Sequence, residues 1–158
     1  MLEKRSFYIN GKWVSPLKPN DFKVINPSNE KTFAVISLGS AEDTNSAVEA
    51  AKKSFVKWKE TSKEDRINLL EKLLKVYKKR FNEMAEAMSN EMGAPIDFAT
   101  SVHTASGQSH LEDFILRLKN FKFEEHFENK SNNHISHEPI GVCGLITPWN
   151  WPINQIAL

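Results

Sequence analysis

Asn150 stands between two tryptophans and two prolines in Thr147-Pro148-Trp149-Asn150-Trp151-Pro152, directly after the apolar run Val142-Cys143-Gly144-Leu145-Ile146. The run reads as a buried strand, and the prolines read as the brackets of a constrained turn at its end. A carboxamide is thereby presented at a strand's carboxyl end. In open α/β sheets ligands bind there, and a rigidly held amide N–H can be aimed at an oxygen on which negative charge develops during reaction. On residue type alone, an asparagine in this place is first of all a turn former.

The other chemically able residues offer less. Cys143 is the only thiol; between Val142 and Gly144 it reads as a small buried hydrophobe with no adjacent base or cation. Gly141 and Gly144 lie within the strand rather than between a strand and a helix, so they suggest a bend or close packing and not a phosphate loop. His134 and His137 are three apart in an expected strand and point to opposite faces. His103 and His110 can share a helix face, but seven residues separate them by roughly 10 Å along the axis, too far for one ion. No metal site is expected. The basic side of one helix (Lys72, Lys75, Lys78, Lys79, Arg80) is interspersed with Glu71, Glu83 and Glu86 and reads as a solvated face. Phe121, Phe123 and Phe127 suggest core or a subunit contact rather than a base-stacking platform.

The elements that must position these residues can be read from pattern. Asn10-Gly11 between Phe7-Tyr8-Ile9 and Lys12-Trp13-Val14 predicts a tight hairpin. Phe22 to Ile25 and Thr32 to Ile36 predict a second strand pair about the turn Asn26-Pro27-Ser28-Asn29. Ser40 with Asp43 resembles a capping box, followed by Ala47, Val48, Ala51, Phe55 and Trp58 at helical spacing. A second helix starts near Ser62 with Asp65 three residues on. Its apolar positions Ile67, Leu70, Leu73, Leu74, Tyr77, Phe81, Met84 and Met88 predict one helix of about six turns, ended by Gly93 and Pro95. A third, centred on Leu111, Phe114, Ile115, Leu118 and Phe121, begins after Pro95 and is weakened at Gly107. Three helices packed together are expected. Lys130 to Asn133 is a polar break, Asn133 to Glu138 predicts an exposed strand, and Pro152 opens a last helix with Ile153, Ile156 and Ala157.

Composition bounds the rest. The 158 residues, 40% hydrophobic and 26% charged, suit a folded chain of one ordinary domain. No apolar run approaches the ~20 residues of a bilayer span. Met1-Leu2-Glu3-Lys4-Arg5-Ser6 has no apolar stretch behind it, so no secretory signal is expected. A single cysteine fits a reducing cytoplasm. A net charge of +1 gives no general attraction to nucleic acid or membranes.

The run Pro139-Ile140-Gly141-Val142-Cys143-Gly144-Leu145-Ile146-Thr147-Pro148-Trp149-Asn150-Trp151-Pro152 resembles the first dinucleotide-domain strand and turn of the aldehyde dehydrogenase superfamily. Tyr8-Ile9-Asn10-Gly11-Lys12-Trp13, Ile25-Asn26-Pro27-Ser28-Asn29, Ala47 to Phe55 and Glu91-Met92-Gly93-Ala94-Pro95 resemble the family's earlier segments, in its order. The resemblance implies an α/β fold: a β-rich lead-in and helical segment over residues 1–132, an intersubunit strand at 133–138, and the first strand and helix start of a Rossmann-like core at 139–158. It also implies NAD(P)-dependent oxidation of an aldehyde to an acid through a cysteine thiohemiacetal and thioester, in a dimer or tetramer. Asn150 then matches the amide that holds the oxyanion, and Ile146, Thr147, Pro148 and Trp149 match the segment along the cofactor's ribose and nicotinamide. That match reverses the turn-former preference for Asn150.

The family's phosphate-binding glycines, glutamate base and nucleophilic cysteine have no match in these residues, and Cys143 does not match the nucleophile. One oxyanion donor is worth about 2.7–4 kcal/mol, against the roughly 8–23 kcal/mol by which enzymes lower barriers. A doubly wound sheet with only its first strand also lacks a parallel neighbour. The expectation is therefore the amino-terminal portion of a longer enzyme, inactive and without tight NAD(P) binding by itself. The alternative is a non-catalytic helical module, or a truncated product, that associates with a full-length relative.

Overall fold

Residues 1–126 and 132–158 are described by the computed structural model. After β1 (Leu2–Lys4), Asn10 and Gly11 adopt φ of 52° and 74°, the left-handed pair that a two-residue turn requires, and close β2 (Phe7–Ile9) on β3 (Lys12–Val14). The second expected pair forms as β4 (Asp21–Asn26) and β5 (Lys31–Ser37), antiparallel with an irregularity between Val24 and Ile25. β1 adds to the far edge of β5 in parallel, giving the order β1-β5-β4. This strand carries no sequence signal, because its partner lies some thirty residues away. Asn26 is buried and folds its own turn, accepting from the Ser28 N–H at 2.9 Å and donating to Asn90 Oδ1 at 3.3 Å.

Both capping boxes are present. Ser40 caps α1 (Ala41–Trp58) and Ser62 caps α2 (Lys63–Lys79), each hydroxyl accepting from the N–H of the aspartate three residues on. Asp43 is buried and also accepts from the Leu17 N–H at 3.0 Å, tying α1 to the lead-in. That contact and those with Ser40 hold its carboxyl below the usual range.

The long second helix is corrected to two. It breaks at Arg80, which has φ −105° and ψ 18°, and α3 (Phe81–Met92) continues in a new direction to Gly93. The break follows from packing, since α2 lies on the helix Ala105–Asn120 whereas α3 lies on the turn Ala99–Thr104 and on β4. The third helix does begin after Pro95, as α4 (Ile96–Phe98), a π-helical turn (Ala99–Thr104) and α5 (Ala105–Asn120). The irregularity falls in the π turn and not at Gly107. Gly107 is buried where a Cβ would stand 2.7 Å from Tyr77 Oη and 3.0 Å from Ile153 Cγ1, so its missing side chain admits neighbours. The core joins Ile67, Tyr77, Ala85, Met88, Ala99, Leu111 and Ile115. Rather than join these helices closely, α1 packs against β2.

The exposed strand forms as β7 (His134–Ser136), antiparallel to an unforeseen β6 (Glu124–His126). Phe121 and Phe123 meet edge to face at 5.0 Å and, with Trp58, Leu69 and Phe114, line an apolar cleft of about 570 Å³. Phe127 and part of the polar break, residues 130–131, lie outside the described residues. α6 (Pro152–Ala157) opens with its proline in the first turn. Among the described residues, no helix is long and apolar enough to cross a membrane.

Candidate functional site

The apolar run before the turn departs from expectation. Val142 to Ile146 is extended but unpaired, and Ile140, Leu145 and Ile146 are 93%, 86% and 98% exposed. No strand among the described residues lies beside it, and backbone groups with no ladder partner are stable only when water can reach them. The buried-strand reading is therefore corrected to an exposed extended segment. Cys143 changes with it: its thiol is exposed, with Sγ 3.8 Å from the Gly141 carbonyl oxygen, and it does not serve as core filler here. Gly141, at φ 121° with open space where a Cβ would be, marks a bend rather than close packing.

At the end of this segment Trp151 adopts φ 66° and ψ 52°, a left-handed conformation that costs a bulky residue on the order of 1–3 kcal/mol. Asn150, immediately before it, is exposed, and no hydrogen bond engages its carboxamide among the described residues. Ile146, Thr147, Pro148 and Trp149 form one contiguous exposed strip leading to it. Clefts of about 690 and 570 Å³ are lined by other described residues, the first by Lys59, Arg66 and His137 among others.

The chemistry of the strip can be set against a nicotinamide dinucleotide. Exposed faces of Ile146 and Trp149, with the Thr147 hydroxyl between them, suit the edge of a ring and a ribose. Residues 139–158 contain no charged side chain, so they hold nothing to offset a pyrophosphate. They fit one end of such a cofactor and not its middle.

The turn rests on residues that the sequence presents only as a metal pair or a helix weakness. His103, in the π turn, meets Phe98 and Trp151 edge to face at 5.0 and 4.7 Å. Tyr77 Oη donates to the Thr104 carbonyl at 2.8 Å, and burial pushes its phenol up to about 12. Asn154 Nδ2 lies 2.6 Å from His110 Nε2, and Ile153 fills the space at Gly107. His103, Gly107 and His110 are spaced four and three apart, one helix face with a gap at its centre. That pattern is visible in the sequence, whereas the π turn is not. Among the described residues, no group of three or more histidines, cysteines or carboxylates is placed to hold a metal. His126 faces His134 across β6 and β7 at 4.3 Å, and His137 packs on Phe121.

Comparison with known proteins places these features. The model of the aldehyde dehydrogenase family matches residues 13–158, and the chain belongs to that family. It is 42% identical over 158 residues to a 3-succinoylsemialdehyde-pyridine dehydrogenase of a Pseudomonas species, covering 99% of this chain and 32% of that protein. A putative aldehyde dehydrogenase of Staphylococcus epidermidis is 40% identical over 151 residues, covering 96% and 31%. Among solved structures, an aldehyde dehydrogenase from Bartonella henselae superposes with a TM-score of 0.98 at 51% identity, over 99% of this chain and 33% of that one. Aldehyde dehydrogenase C of Pseudomonas syringae, a mutant solved with NAD+ and octanal, superposes with a TM-score of 0.92 at 38% identity, over 97% and 31%. The chain spans about a third of the length of these relatives.

Proposed function

We propose that these residues supply the oxyanion-holding amide and part of the cofactor wall of an NAD(P)-dependent aldehyde dehydrogenase. The observation that carries this reading is Asn150 itself: an exposed, unengaged carboxamide on a turn held left-handed at its next residue. When a nucleophile adds to an aldehyde carbon, the carbonyl π pair moves to oxygen, and an N–H already aimed at that oxygen stabilises the change without reorganising. The Asn150 Nδ2 hydrogens make that donation. Ile146, Thr147, Pro148 and Trp149 receive the ribose and nicotinamide end of the dinucleotide. When bound, the dinucleotide would accept the hydride that leaves the aldehyde carbon, and water would then release the acid from the thioester.

Residues 1–132 are the supporting strands and helices, 133–138 an intersubunit strand of a dimer or tetramer, and 139–158 the start of the Rossmann-like core. Among the described residues β7 is paired on one edge only, in a two-stranded sheet, which supports that use. The near-neutral charge accords with a partner set of aldehyde, cofactor and like subunits, without nucleic acid or membrane, and the lone cysteine accords with the cytoplasm. One relative is named for a pyridine-bearing semialdehyde and another is solved with octanal, so the reading stops at the class of aldehydes. The 158 residues alone are inactive in this reading, since one amide cannot replace a nucleophile and a base.

The test is Asn150→Ala in an aldehyde-oxidising polypeptide that carries this segment. Turnover falls by about 10²–10³-fold, the effect of losing one oxyanion donor. Unchanged turnover, with chemistry shown to limit the rate, overturns the assignment.

A further inference from the structure

His103 is 97% removed from solvent, being 3% exposed, yet its Nδ1 is the one buried side-chain polar atom among the described residues that lacks a hydrogen-bond partner. Such exceptions require an explanation. The ring lies between Phe98 and Trp151, edge to face with both, and it projects from a π-helical turn, a winding found frequently at functional positions. The turn is pinned on both sides of its last residue: Thr104 Oγ1 donates to the Ala99 carbonyl at 2.9 Å, and the Thr104 carbonyl accepts from Tyr77.

The geometry points to His103 as a positioning residue for the Asn150 carboxamide, acting through the ring of Trp151. This role rests on the proposed catalytic use of Asn150. A left-handed bulky residue persists only where its surroundings over-determine it. Here three contacts do so: His103 against the Trp151 ring, Ile153 in the gap at Gly107, and Asn154 on His110. The last two anchor α6, whose first turn also holds the Trp151 carbonyl through the Gln155 N–H at 3.1 Å, and the first is the contact that grips the ring of the left-handed residue. Because Asn150 is joined to Trp151 through one peptide, relaxing φ from 66° to the ordinary negative region turns the preceding chain by more than about 100° and carries the carboxamide off its target. The unpaired nitrogen is then a by-product of placing a small flat ring against the indole.

Four variants of the aldehyde-oxidising polypeptide that carries this segment test the assignment: His103→Ala, His103→Phe, Asn150→Ala and the double variant His103→Ala with Asn150→Ala. His103→Ala lowers kcat about ten- to a hundredfold, the scale of a misplacement near 1 Å. His103→Phe keeps a ring edge beside Trp151, removes the unpaired nitrogen, and retains kcat within about threefold. Adding His103→Ala to Asn150→Ala costs little further turnover, because the histidine acts only through the amide.

Losses that multiply in the double variant, an unaffected His103→Ala, or a His103→Phe as slow as His103→Ala each overturn the proposal. If His103→Ala does not fold, His103→Leu, which fills the volume without a ring, takes its place. Fluorotryptophan NMR separates the two claims. A Trp151 resonance that moves in His103→Ala while Trp13 and Trp58 stay fixed upholds the contact even if Asn150→Ala is silent. In that case the catalytic reading is what fails, and the positioning role falls with it. An unmoved Trp151 resonance removes the contact whatever Asn150→Ala does.

Discussion

β5 and the segment from Ile140 to Ile146 are comparably apolar stretches of similar length with opposite fates. β5 is paired on both edges, with Ala34 and Val35 each 5% exposed, whereas Ile146 is 98% exposed and its segment is unpaired. Apart from Gly144, little in local composition separates Phe33-Ala34-Val35-Ile36 from Val142-Cys143-Gly144-Leu145-Ile146. The difference lies in what stands alongside. A strand is a property of a neighbour as much as of its own residues, because its amides must be matched by a second backbone. β5 meets a second backbone on each side, while the segment that bears the proposed chemistry meets none among the described residues.

The largest effect that separates the two regions is the 10²–10³-fold loss of turnover expected of Asn150→Ala, to within about a factor of ten. The same substitution should leave the melting of the 1–126 body unchanged, which thermal unfolding monitored by circular dichroism reads directly. Next in size is a matched pair of truncations. Val35→Ala costs about 2 kcal/mol of stability by opening a gap in the covered sheet face, and Ile146→Ala changes stability by less than about 0.5 kcal/mol. Equal costs in denaturant titrations of the 158 residues would erase the distinction, since they would mean that Ile146 is covered in solution. Smaller again are the caps: Ser40→Ala and Ser62→Ala each lose about 1 kcal/mol by leaving helix N–H groups without an acceptor.

The smallest effect is on acid stability. Asp43 is held low by the Leu17 and Ser40 N–H groups, and Asp65 by the Ser62 hydroxyl. A carboxyl lowered in the folded state stabilises fully above its unfolded value of about 3.9 and loses that contribution as pH falls through the lower folded value. Melting temperature should therefore drop below about pH 4, and less steeply in Asp43→Asn. An identical pH profile in that variant would show that the buried carboxylate is not responsible.

What could be read from residue types was what depends on near neighbours. Ser40 with Asp43, Ser62 with Asp65, the Asn10-Gly11 turn and Pro152 at a helix start each name their own geometry within four residues. What could not be read depends on distant partners. The break at Arg80 carries no glycine or proline and arises because α2 and α3 pack on different parts of one helical run. The π turn, the parallel seating of β1 and the pairing of β6 are likewise set from elsewhere in the chain. At the site, the Asn150 turn was legible because its prolines are adjacent, whereas the His103 contact joins residues 48 positions apart.

The parallel pairing of β1 with β5 also has a consequence in time. The β2–β3 hairpin can close within about 1–10 μs of its eight residues being free, since its ends are already close. Leu2–Lys4, although synthesised before the hairpin, have no partner among the described residues until Ala34–Ile36 have left the ribosome. Leu2–Lys4 must stay loose through that interval, and they wait longer for their partner than any other strand of the lead-in.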